Sequence, residues 1–161
     1  MHKQIVKTLT MLTLAVGLAL AAAVVSANGQ LTSDGVIADI PFDFVVGGRT
    51  LPAGKYSVRA ATSDGEGLKI SNLNGKISVM RLSNSVTETS AKRNARMVFH
   101  RYGQRYFLAE VWNGVDNAGR QLTKSQEERA IANELMLASA RENAHATKDI
   151  YEIVEVAAVL R

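Results

Sequence analysis

From Val36 to Val46 the chain alternates, placing Ile40, Phe42, Phe44 and Val46 on one face of an expected strand. Pro41 lacks an N–H and marks an edge or a bulge within that run. Lys55 to Ala61 alternates again, with Tyr56, Val58 and Ala60 opposite Ser57 and Arg59. Asn74-Gly75 centres a hairpin over Leu68–Leu82, because both residues tolerate positive φ. Pairing outward from that turn puts Leu68, Ile70, Ile77 and Val79 on a dry face, and Lys69, Ser71, Lys76 and Ser78 on a wet one. A second hairpin, Ala95–Asn113, turns at Gly103-Gln104 in the type II′ manner. Its pairing groups Met97, Phe99, Tyr106, Leu108 and Trp112 on one face and Val98, His100, Phe107, Ala109 and Val111 on the other. Both faces are apolar, so these strands are expected to be covered twice.

The cover is a helix. Ser125 and Glu128 form an S-x-x-E capping box, and good helix formers continue over about 125–143. Ile131, Leu135 and Ala138, widened by Ala132 and Met136, give a stripe expected to pack on the sheet. Asp149–Leu160 fits either a helical face or a strand, and its β-branched residues favour a strand that rejoins the sheet. The fold class is therefore mainly β with one packed helix, an α+β arrangement. The expected architecture is a small antiparallel β-sandwich or open β-barrel of about 6–7 strands.

The start of the chain changes the picture of where this domain works. Lys3 and Lys7 precede an almost wholly apolar stretch, Leu9 to Val25, and Val25-Ser26-Ala27 offers the small residues a signal peptidase accepts. The stretch has the minimum length of a membrane span. The alanine-rich end and the cleavage pattern favour a signal peptide over 1–27, removed after Ala27, with no stable span left afterwards. A loose polar segment, 28–35, then leads into a single domain, 36–161. The expected location is periplasmic or secreted. Cysteine is absent, so the fold rests on its core without disulfides. Removing the two leader lysines leaves 17 basic against 15 acidic residues, too even a balance to footprint nucleic acid.

Candidate chemistry is sparse. Gly48 to Lys55 resembles a phosphate loop only superficially: five residues, not four, precede Gly54-Lys55, and Tyr56 follows where Ser or Thr would bind magnesium. Pro52 and Gly54 suit a corner instead. No G-x-S-x-G elbow, C-x-x-C or H-x-x-x-H pattern occurs. Asp116-Asn117 with Asp34 or Asp64 reads as solvated turn formers rather than a calcium loop. His100, opposite Phe107, reads as a packed, hydrogen-bonded histidine, and His145 lies at a helix end. Glu110 reads as an ion-pair partner of Arg96, Arg101 or a lysine. Arg101 opposite Tyr106 reads as a cation–π pair. The pattern points to no catalytic, metal-binding or cofactor-binding residues.

Ile40–Val58 (IPFDFVVGGRTLPAGKYSV) and Val98–Trp112 (VFHRYGQRYFLAEVW) resemble segments of a family of short exported bacterial proteins. Gly119–Ser125 before the helix is similar too, with Thr123 where that family is expected to carry Pro. The resemblance implies a shared fold and carries no activity or functional residues. The expected function is an exported, non-enzymatic module acting by binding or structural support, with an envelope protein as partner. The alternative is a lipocalin-like carrier holding a small apolar ligand among Phe42, Tyr56, Phe107 and Trp112. A hydrolase built on Glu110 and His100 ranks third, since the pairing puts these two on opposite faces.

Overall fold

The computed structural model describes residues 35–89, 94–115, 117–142 and 150–161. The expected signal peptide, the loose segment up to residue 34, Asp34, Asp116 and His145 lie outside the described residues.

Among the described residues ten strands form: β1 (Val36–Ile40), β2 (Phe44–Val46), β3 (Arg49–Leu51), β4 (Gly54–Ala60), β5 (Gly67–Asn72), β6 (Ser78–Thr87), β7 (Arg96–Tyr102), β8 (Arg105–Trp112), β9 (Ala118–Leu122) and β10 (Glu152–Leu160). One helix, α1 (Gln126–Glu142), separates β9 from β10. The order β8-β7-β10-β1-β4-β5-β6-β9 returns to β8, giving a closed, antiparallel barrel of eight strands. Closure corrects the expected open barrel or sandwich of 6–7 strands. A ring has no free edge, and three pairings that no local pattern encodes complete it: β8 with β9, β10 with β7, and β10 with β1.

Two local corrections have clear causes. The run Val36–Val46 is two strands, interrupted at Pro41, which has no N–H to offer a ladder. The corner at 48–55 contains a further hairpin. Gly47 and Gly48, with φ of 58° and 85°, make the two-residue turn between β2 and β3. Leu51 then tucks into the core, and Tyr56 donates its hydroxyl hydrogen to the Pro52 carbonyl at 2.8 Å.

Gly54 begins β4 at φ 148°, a backbone that L side chains avoid, while the space beside it is open apart from ordinary contact with Asn72. Gly54→Ala is therefore expected to cost about 1 kcal/mol or more through backbone strain alone. Urea denaturation checks this, and an unchanged midpoint would remove Gly54 from its turn role.

The β7–β8 hairpin turns at Gly103 with φ 61°, and Arg101 lies 5.6 Å over the Tyr106 ring as expected. Farther along, the register slips: Val98 faces Glu110 but Phe99 faces Leu108, leaving Ala109 as a bulge. The slip reverses every later residue of β8. Val111 joins the interior with Met97, Phe99 and Leu108, while Glu110 and Trp112 turn outward. Trp112 on the Met97 face is thus corrected.

The barrel interior is filled with aromatic rings in one half. Tyr106, Phe42, Phe99, Phe44 and Tyr56 make a continuous series, with Phe42 stacked on Tyr106 at 3.8 Å and edge contacts of 4.9–5.5 Å elsewhere. Outside the wall, Val45, Tyr102 and Phe107 form a second apolar cluster beneath Ile131, Ala132, Ile150 and Tyr151. The helix covers the second face of β7–β8 through its first turns only. Leu135, Met136 and Ala138 of the expected packing stripe are exposed instead, because α1 runs past the cluster before those positions are reached.

Candidate ligand site

The starts of β1, β5 and β9 and the ends of β4, β6 and β8 meet at one end of the barrel. There a pocket of about 340 Å³ opens. Its floor is interior side chains one step beyond the aromatic series: Val36 on β1, Val58 after Tyr56 on β4, Leu68 on β5 and Val111 on β8. Small valines leave room where the aromatic half leaves none. Val111 reaches the floor only because of the bulge at Ala109. The rim is polar, built by Arg59, Ser85, Asn113 and Arg120. Beside it, the Asp64 carboxylate accepts from the Thr62 hydroxyl at 2.5 Å and the Glu66 N–H at 2.9 Å. Those bonds, and the positive charge of Arg120, hold its pKa below the ordinary carboxylate value.

The four residues expected to line a carrier pocket are not brought together. Phe42 and Tyr56 belong to the filled aromatic half of the interior, Phe107 lies outside the wall under α1, and Trp112 lies outside over Gly119. Arg96 stacks on Trp112, its guanidinium carbon 4.8 Å from the ring centroid. Sequence alternation alone could not place Phe107 and Trp112, since β7 and β8 are buried on both faces. The residues that do form the pocket carried one signal, the inward alternation of Val58 and Leu68.

Glu110 and His100 also differ from expectation. The bulge turns Glu110 to the outer face, where His100 already lies, but each holds separate partners. Glu110 accepts from the Trp112 indole at 2.9 Å and the Gln121 amide at 3.4 Å, and from no arginine or lysine among the described residues. Arg96 instead pairs with Glu88 at 2.6 Å, and Arg101 with Glu152 at 2.9 Å. His100 is buried and hydrogen-bonded, as read from the sequence, with Nδ1 2.8 Å from Glu128 Oε1.

Glu128 is where the capping box departs from its usual form. The Ser125 hydroxyl accepts from the Glu128 N–H at 3.0 Å, which is one half of the box. The Glu128 carboxylate turns into the wall rather than back to Ser125, meeting His100 and the Tyr102 hydroxyl at 3.4 Å. Burial first, then the Glu128 charge and hydrogen bond, raise the Tyr102 phenol well above its ordinary value. The cluster fastens α1 to β7. Among the described residues no three His, Asp or Glu side chains converge as a metal would need, and no helix is long and apolar enough to cross a membrane.

No protein-family model, curated protein or solved structure matches the chain.

Proposed function

We propose that this chain is an exported, non-enzymatic binding module whose barrel holds a small, mainly apolar molecule at its open end. The observation that carries this reading is the asymmetry of the interior. One half is plugged by five rings, and the other ends in an apolar-floored pocket with a polar rim. The volume sits at the low end of the roughly 300–1,000 Å³ used for small-molecule sites. The leader pattern at 1–27 and the resemblance to exported bacterial proteins support the periplasm or cell surface as its place. The carrier reading moves from the aromatic residues to the valine-lined end.

The test is titration with the neutral fluorescent probe N-phenylnaphthylamine. Saturable binding at one probe per chain is expected, and Ala60→Trp, at an exposed pocket position, is expected to abolish it without lowering the melting temperature. Binding that ignores the tryptophan would sink the assignment. A second reading, docking to an envelope protein, is favoured by the exposed Leu135, Met136 and Leu137 of α1. It takes precedence if the probe fails to bind and Met136→Glu abolishes recovery of an envelope protein.

A further inference from the structure

We propose that the protein holds a second ligand, a small α-hydroxy acid, on the outside of the barrel wall between His100 and Lys124. This site is separate from the pocket at the barrel end and does not rest on it.

Strand pairing assembles the site. Gln121 on β9 is paired with Glu110 on β8 and with Asn84 on β6. Paired residues share a face, so Asn84 and Gln121 lie side by side on the outer face that carries Glu110. His100 reaches the same face from β7. Between them stands Ala109, the bulge residue, whose methyl group leaves room that a larger side chain would fill. Thr123 and Lys124, which lead into α1, border the space from above. The result is a cavity of about 240 Å³ ringed by amide, hydroxyl, imidazole and ammonium groups. At roughly 30 Å³ for each water-sized group it takes about eight of them, the size of a small organic acid.

His100 supplies the lone pair. It is more than nine-tenths buried, and its Nδ1 lies 2.8 Å from Glu128 Oε1. A carboxylate only accepts, and the Tyr102 hydroxyl donates to the same oxygen, so Nδ1 carries its hydrogen. In the neutral ring the lone pair is then on Nε2. Nε2 has no hydrogen-bond partner among the described residues and is not sealed within the wall, so it opens on the cavity that the ring borders. A fixed acceptor in a small polar cavity selects a hydroxyl donor.

Lys124 supplies the charge. It makes no ion pair with a described residue, and its Nζ lies 5.0 Å from the centre of the Tyr151 ring. His100 packs on that same ring at 4.1 Å, so the ammonium lies within about 9 Å of the imidazole centre. Two hydrogen bonds of about 2.8 Å, joined through the adjacent hydroxyl and carboxylate oxygens of an α-hydroxy acid, span such a gap.

Proton–nitrogen NMR titration of the purified chain tests this with racemic lactate, propionate and propane-1,2-diol. The first carries both groups, the second only the carboxylate and the third only hydroxyls. Lactate is expected to shift the His100 imidazole and the Thr123 and Lys124 amides saturably. Propionate should bind about five-fold more weakly, for one neutral hydrogen bond, and the diol about ten-fold or more, for one to a charged group. His100→Asn keeps an amide N–H at the place of Nδ1 for Glu128 but has no Nε2. It should retain the melting temperature and erase the advantage of lactate over propionate. Lys124→Met, at an exposed position, should erase the advantage over the diol, and it decides the site alone if His100→Asn does not fold. Equal binding of lactate and propionate by the wild type overturns the role of Nε2, and equal binding of the diol overturns that of Lys124. An advantage over the diol that survives Lys124→Met, shifts confined to other parts of the chain, or no shift with any probe overturns the site.

Discussion

Replacing Phe99 by alanine is expected to destabilise the barrel by about 3–5 kcal/mol, the range for truncating a fully buried phenylalanine. Phe99 is the middle ring of the interior series, meeting Phe42 edge-on at 5.2 Å and Phe44 at 5.5 Å, and it has no exposed surface. Its loss removes both edge contacts, each worth about 0.5–1.5 kcal/mol beyond simple burial. Phe44 is held by ladder pairs with Leu51 and Tyr106, and Phe42 by its stack on the Tyr106 ring, so they cannot collapse into the space. Equilibrium urea denaturation measures the loss. A cost below about 1 kcal/mol would mean that the lumen relaxes freely and the aromatic half is no plug.

The second large effect is expected at Glu128. Glu128→Ala should cost about 3 kcal/mol, because it strands the His100 Nδ1 and the Tyr102 hydroxyl in a buried site. Glu128→Gln keeps an acceptor for both and should cost about 1 kcal/mol. Hydrogen exchange provides the discriminating readout. The alanine variant should lose protection across Gln126–Ala132 while the barrel strands keep theirs. Uniform loss would show that the cluster stabilises the whole barrel rather than docking the helix.

Tyr102 adds a pH signature to the same variant. Its folded pKa is raised above the ordinary 10.0, so its contribution is complete below pH 10 and is lost as pH climbs beyond it. Removing the Glu128 charge leaves burial as the main cause of the shift and should reduce this alkaline loss.

The sequence revealed the strands wherever one face is wet and a glycine marks the turn. Leu68–Leu82 is the example, with Ile70 opposite Val79 and Ser71 opposite Ser78 as pairing outward from Asn74-Gly75 requires. The final strand was legible from Ile153, Val154 and Val156, but its neighbours were not. Strand β9, Ala-Gly-Arg-Gln-Leu, places only Leu122 and Gly119 in buried positions and so carries almost no periodicity. The bulge at Ala109 left no mark because both faces of β8 are apolar, and a slip exchanges one apolar residue for another. That single residue explains why Trp112 was expected inside and Val111 outside. The pocket stayed hidden for the same reason, together with a second: Val111 and Arg120, on β8 and β9, meet only when the ring closes.

That closure has a consequence for how the molecule is made. Strand β10 follows every other barrel strand in the chain, yet it sits between β1 and β7. Until Glu152–Leu160 is in place, the strands already formed present two unpaired edges, and Val36 waits for Leu160, its partner from the far end of the sequence. Long-range pairing of this kind carries a large loop-closure entropy and is slow. A chain supplied from its N-terminus therefore spends its whole synthesis as an incomplete sheet, exposed to strand addition by a second copy. Those edges need shielding until then, and the last nine strand residues act as the catch that ends the need.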